Sequence, residues 1–152
     1  MEMSGEYRID APIEDVWAAL NDVKILKACI PGCEELEQIS DTEMTAKVAL
    51  KIGPVKARFK GAVSFENITP PNGYSIVGEG QGGIAGFAKG GADVQLVKEN
   101  TQTILTYQAK AQVGGKMAQL GSRLIKSTSA KLADKFFKNF HDALAVKEVT
   151  AE

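Results

Sequence analysis

One long amphipathic segment, Lys116 to Leu144, follows a chain centre that alternates in steps of two, and this pairing constrains the fold more than anything else. Met117, Leu120, Leu124, Thr128, Leu132, Phe136, Phe140 and Leu144 recur three or four residues apart, which puts them on one stripe of a helix. Arg123, Lys126, Lys131, Lys135 and Lys138 fill much of the remaining circumference. At about 1.5 Å per residue such a helix runs ~40 Å, longer than any one strand.

The alternating segments are strands with one wet face. Met44, Ala46, Val48, Leu50 and Ile52 alternate with Thr45, Lys47 and Lys51. Val55, Ala57, Phe59, Gly61, Val63 and Phe65 alternate with Lys56, Arg58, Lys60 and Ser64. Leu105, Tyr107, Ala109, Ala111 and Val113 alternate with Thr106, Gln108, Lys110 and Gln112. Met3 to Ile9, Glu34 to Ile39, Tyr74 to Gly80 and Phe87 to Val97 bring the set to about seven strands. Pro70-Pro71-Asn72-Gly73 and Lys98-Glu99-Asn100 read as hairpin connections. A curved sheet needs a cover for its apolar face, and only the last helix is large enough.

Between the first two strands lie two short helices. Asp10-Ala11 before Pro12 sets up a helix start, with Glu14 and Asp15 at its positive dipole end. Val16, Ala19, Leu20 and Val23 recur at helical spacing, and Pro31-Gly32 stops the run. The expected order is β-α-α-β-β-β-β-β-β-α in one α+β domain over residues 1–146, with 147–152 as a short polar tail that frays.

Charge and composition exclude several function classes. A formal net charge of -1 exerts no global pull on nucleic acid. No apolar run approaches the ~20 residues of a membrane span, and Met1-Glu2-Met3 opens no signal peptide, so the expected location is cytoplasmic. Cys29 and Cys33 flank the Pro-Gly turn, and with one histidine in the chain they lack further zinc ligands. They are expected to be buried, reduced thiols, and no metal site is expected.

The inward parity of the strands is rich in small residues: Ala46, Ala57, Gly61, Gly78, Gly80, Ala109 and Ala111. A dry void of ~300 Å³ there would cost roughly 7 kcal/mol, comparable with the stability of a whole domain. Two readings follow. Either the small residues let the sheet bend and the helix sit close, or they open a space that something occupies. For the second reading the pocket residues are Trp17, Phe59, Tyr74, Phe87, Tyr107, Met117, Leu120 and Leu124.

The glycine-rich run Gly78 to Gly91 lacks GxxxxGK[ST] and leads into a strand, so it is no phosphate loop. It reads as a wide hairpin between two edge strands, or as a flap with Ile84 and Phe87 at its apolar tip. Chemistry-bearing groups are scarce. His141 stands alone near the end of the last helix, and Glu66, Glu79, Gln81 and Asp93 fall on the solvent parity. No pair of acids or nucleophile with its base can be assembled from these.

Residues 9–22, IDAPIEDVWAALND, and 29–36, CIPGCEEL, resemble the opening of START-like, Bet v 1-like helix-grip domains. Together with VALKIGPVKARFKG at 48–61, the glycine run, and LTYQAKAQVGGKMAQLGSRLI at 105–125, the chain resembles the family named for the G subunit of carbon monoxide dehydrogenase. That resemblance implies a helix-grip fold: a seven-stranded curved antiparallel sheet wrapped around a long C-terminal helix. It also implies a non-catalytic accessory role to a molybdenum-containing hydroxylase that oxidises carbon monoxide or a related small substrate, at the cytoplasmic membrane.

Electrons from such a hydroxylase reach a respiratory chain whose lipid-soluble carrier is a quinone. The expected occupant of the hollow is therefore a quinone or lipid, and the expected partners are that molecule and the hydroxylase subunits. Many family members carry a C-terminal extension ending in a hydrophobic segment. With the sequence stopping at Glu152, the expected membrane contact is peripheral, at the inner face, through the glycine flap or the basic helix. A docking or assembly factor without ligand is the alternative. A polyketide cyclase-like enzyme comes third and would need Tyr74 or Tyr107 as its polar group.

Overall fold

Seven strands form one antiparallel sheet in the order β1-β7-β6-β5-β4-β3-β2. They are β1 (Glu2–Ile9), β2 (Cys33–Ser40), β3 (Glu43–Ile52), β4 (Val55–Thr69), β5 (Gly73–Gln81), β6 (Phe87–Glu99) and β7 (Gln102–Gly114). The computed structural model describes the backbone of residues 1–151 and the side chains of residues 1–145. Six strands follow one another as hairpins, and β1 closes on β7 with Tyr7 opposite Leu105 and Gly5 opposite Tyr107. The sheet is open, so β1 and β2 are its edges.

Helices α1 (Ile13–Leu20) and α2 (Val23–Cys29) carry the chain from one edge of the sheet to the other. Pro12 stands at the N-cap of α1 and its carbonyl accepts from the amides of Asp15 and Val16, both at 3.0 Å. A proline fits there because the position needs no amide donor. Asp22 caps α2, accepting from Lys24 N at 2.9 Å, which satisfies an otherwise orphaned amide.

Helix α3 (Ser122–Ala151) is covered on one stripe by the sheet and α2. The expected single helix from Lys116 is two elements. Gly115–Leu120 is a 3-10 turn, Gly121 breaks the path at φ +90°, and α3 starts after it. Met117 and Leu120 therefore do not continue the α3 stripe. Helical backbone also continues beyond Leu144 through the expected tail to Ala151; Glu152 and the side chains from residue 146 lie outside the described residues.

Two further expectations need correction. The glycine-rich connection joins β5 and β6, which are interior strands of the sheet rather than edges. Each consecutive strand pairs with the last, so the middle of the chain becomes the middle of the sheet. Of the two thiols only Cys29 is buried, and Cys33 is half-buried at the start of edge strand β2.

The solid core lies at one end. Ile9, Val16, Leu105 and Phe140 are each at most 2% exposed, and α1, the C-terminal half of α3 and the adjoining ends of β1, β6 and β7 meet there. Truncating Phe140 to Ala would cost about 3–5 kcal/mol, a large part of a domain's stability. The Thr103 hydroxyl is completely buried in this core and donates to the Ala11 carbonyl at 2.8 Å.

Candidate functional site

Away from that core the concave face of the sheet is not closed. Residues of the inward parity there, including Met3, Val48, Leu50, Val63, Ala109 and Val113, are all half-buried. On α3 the corresponding positions Leu124, Thr128, Ser129, Leu132 and Ala133 are also half-buried, and Ile125 among them is buried. Packed sheet-on-helix layers bury such side chains almost fully. A half-covered groove is therefore built into the first half of α3 and the strands beneath it.

A depression of about 1000 Å³ is bordered by Met3, Ile76, Ala92, Tyr107 and Ala109 of the inward parity and by Lys126 and Ala130 of α3. More of its border is of the other parity, including Glu2, Ser4, Glu66, Ser75, Asp93, Gln108 and Lys110, so the volume extends past the groove to the outer side of the sheet. The small side chains make the room: Ala92 is opposite Ala109 in the β6–β7 register, and Gly78 is opposite Gly90 in the β5–β6 register.

The eight residues expected at the pocket fall into two groups. Tyr74 belongs to the solid core itself, and Trp17 and Tyr107 pack against it. The Trp17 and Tyr74 rings meet edge to face at 5.5 Å, and Tyr107 stacks with Tyr7 and Phe137, each at 6.3 Å. Phe59, Phe87, Met117, Leu120 and Leu124 belong to the opposite end. There the Phe59 ring lies over Gly82 and the Phe87 ring over Gly114, where any side chain would collide with them. Phe87, paired with Gln81 and Gly114, is on the solvent parity of β6 and does not face the groove as expected. Leu124 reaches the β3–β4 turn, 2.9 Å from where a Cβ on Gly53 would stand.

Sequence reasoning missed Tyr7. Its hydroxyl donates to Asp134 Oδ1 at 2.6 Å and ties edge strand β1 to α3. Burial and then the Asp134 hydrogen bond push the Tyr7 phenol above its ordinary range, so Tyr7 stays a neutral donor. Burial alone does the same to Tyr74, the most enclosed phenol of the site. The available signal was parity: Tyr7 shares the inward face of β1 with Met3 and Ile9.

No group of three His, Cys, Asp or Glu among the described residues is arranged to hold a metal. Burial raises both thiols, which keeps Cys29 and Cys33 protonated and poor nucleophiles. Glu66, Glu79, Gln81 and Asp93 are exposed, as their parity required. What the arrangement offers chemically is apolar surface, room and a few neutral hydroxyls.

A family model for the G subunit of carbon monoxide dehydrogenase (CoxG) matches residues 5–145. The chain belongs to that family. The span shared with CoxG proteins runs from within β1 through most of α3 and so includes the groove except Met3.

A conserved protein from Geobacillus kaustophilus is similar at 32% identity, with a TM-score of 0.91 and 95% of each chain covered. The fold is also similar to that of the Zhui aromatase/cyclase from Streptomyces sp. R1128, at 10% identity and a TM-score of 0.65, over 95% of this chain and 93% of that one. A Thermus thermophilus protein aligns at 14% identity and a TM-score of 0.71, over 97% and 99% of the two chains. No curated protein sequence matches. The two distant likenesses establish the helix-grip fold and nothing about chemistry. Among the described residues, no helix of this CoxG-family chain is long and apolar enough to cross a membrane.

Proposed function

We propose that this CoxG-family protein is a non-catalytic accessory of a molybdenum-containing carbon monoxide dehydrogenase-type hydroxylase. It holds a hydrophobic quinone- or lipid-like molecule between sheet and α3 and links the hydroxylase to the membrane. The observation that carries the reading is the half-buried inward face of the sheet opposite a stretch of α3 that, Ile125 apart, is also half-buried. Two apolar surfaces that face each other without closing are stabilised by a third apolar body between them. Burying ~300 Å² of an isoprenoid tail contributes roughly 7 kcal/mol before ordering costs, enough for reversible holding. Family membership supports the accessory role and the hydroxylase as partner.

The test is titration of the purified protein with a short-tailed quinone and, separately, a fluorescent fatty acid. Trp17 is the chain's single tryptophan and packs on Tyr74, so its fluorescence reports quinone uptake. Saturable quenching at micromolar quinone is expected. No uptake of either probe would leave the protein a docking or assembly factor for the hydroxylase.

A further inference from the structure

Three stretches of the sequence, residues 44–65, 80–92 and 100–133, contain Lys or Arg but no Asp or Glu. They carry the β3–β4 turn, the β5–β6 connection and the β7–α3 connection. The fold brings these three connections to one end of the molecule. Gly86 lies against Gly114 and Gly115, Gly82 against Phe59, and Gly53 against Leu124. Connections without a single carboxylate thus come together in a protein whose net charge is -1.

The cations of this end are exposed and lack partners. Lys51 and Lys56 stand directly opposite each other across β3 and β4, a like-charge pairing that is unfavourable unless an anion neutralises it. Lys116 and Arg123 are also exposed, and among the described residues none of the four is in an ion pair. Further along the same strands Lys47, Arg58 and Lys110 each have a glutamate partner.

At the tip of this end stands Ile84, 85% exposed and the most exposed of the large apolar side chains among the described residues. It sits in the 3-10 turn Gly83–Ala85, whose buried Ala85 anchors the turn while Ile84 points away.

We propose that this end is a docking surface for an anionic lipid bilayer, with the unpaired cations among the headgroups and Ile84 inserted below them. Such a combination of one apolar tip and a ring of cations suits a bilayer. A protein interface would need an exposed apolar core patch, and among the described residues of this end only Ile84 is a large apolar side chain that is mostly exposed. The docking chemistry stands without the ligand reading, but it rests on the proposed membrane linkage for its purpose: Phe59 and Leu124 rim the same end, so a docked molecule turns the groove's mouth to the lipid.

Vesicle flotation of the full chain tests this, with phosphatidylcholine alone and mixed with phosphatidylglycerol. The protein is expected to float only with the anionic vesicles and to be released by ~0.5 M salt. Lys51→Ala with Lys56→Ala should weaken binding about 25-fold, at about fivefold per charge, and Ile84→Ser should weaken it further. Lys24→Ala with Lys27→Ala on α2, which removes as much charge from a different face, should leave it unchanged. Urea melts show that each variant is folded. Equal loss in the α2 control, equal flotation with neutral vesicles, or no flotation would overturn the proposal. So would capture of the hydroxylase, rather than of lipid, that depends on Lys51 and Lys56. Quinone quenching of Trp17 reads the groove separately, so failure of docking and failure of ligand binding are distinguishable.

Discussion

Filling the groove with the protein's own atoms separates an open space from a packed core. Ala109 is half-buried on β7, opposite Met3 and Ala92, and borders the depression of about 1000 Å³. An Ala109→Phe ring has room there, and burying ~100 Å² of it would contribute up to about 2.5 kcal/mol. Ala19 is the reference site, because it is 0% exposed in the solid core. Ala19→Phe overpacks that core at a cost of about 3 kcal/mol. For a chain this long, each kcal/mol moves the melting temperature roughly 2–4 °C. Thermal melts followed by Trp17 fluorescence should therefore show Ala19→Phe lower by about 6–12 °C and Ala109→Phe unchanged or higher. Quinone uptake should be lost in Ala109→Phe alone. An Ala109→Phe protein as destabilised as Ala19→Phe would mean that protein atoms already fill the groove, and the reasoning would fail.

Other consequences concern the frame around the groove. Thr103→Val strands the Ala11 carbonyl inside the core and should cost about 1–3 kcal/mol in urea denaturation. Gly86→Ala must hold φ +111° against the Gly114 carbonyl and should cost about 3 kcal/mol, whereas Gly80→Ala, whose Cβ meets nothing nearer than 3.7 Å, should be close to neutral. Tyr7 and Tyr74 hold their protons above the pH at which an unfolded tyrosine ionises, about 10. The unfolded chain alone loses protons there, so the contribution is complete below about pH 10 and falls as pH rises beyond it. Tyr74→Phe should make that alkaline decline shallower, as read from urea midpoints between about pH 9 and 11.5.

Much of this architecture was legible because period-two alternation fixes which side of a strand is wet. Met44 to Ile52 and Val55 to Phe65 became β3 and β4 with the expected faces. The α1 start was legible from Pro12 and the acids beside it. The broken helix was not. Met117, Leu120 and Leu124 keep helical spacing across Gly121, and a three-residue spacing satisfies a 3-10 turn as well as an α-helix. Only the positive φ of Gly121 separates the two elements, and a glycine in a sequence does not say which sign of φ it takes.

Alternation also says nothing of strand order, which is why β5 and β6 read as edges. Tyr7 and Asp134 lie 127 positions apart, and no local pattern joins them. The pocket residues were chosen by parity, which names a face of the sheet but not a height along it. Trp17 stands on α1 and packs against the solid core, whereas Phe87 pairs with Gln81 and Gly114 at the far end and falls on the solvent parity of β6, not the inward one.

The central claim is that the groove holds a hydrophobic molecule. Native mass spectrometry of the protein purified from cells, followed by organic extraction, tests it most directly. The account predicts a mass above that of the bare 16.2 kDa chain and release of a quinone or lipid in a one-to-one ratio. A mass equal to the bare chain, with no uptake when quinones and lipids are supplied, would contradict it.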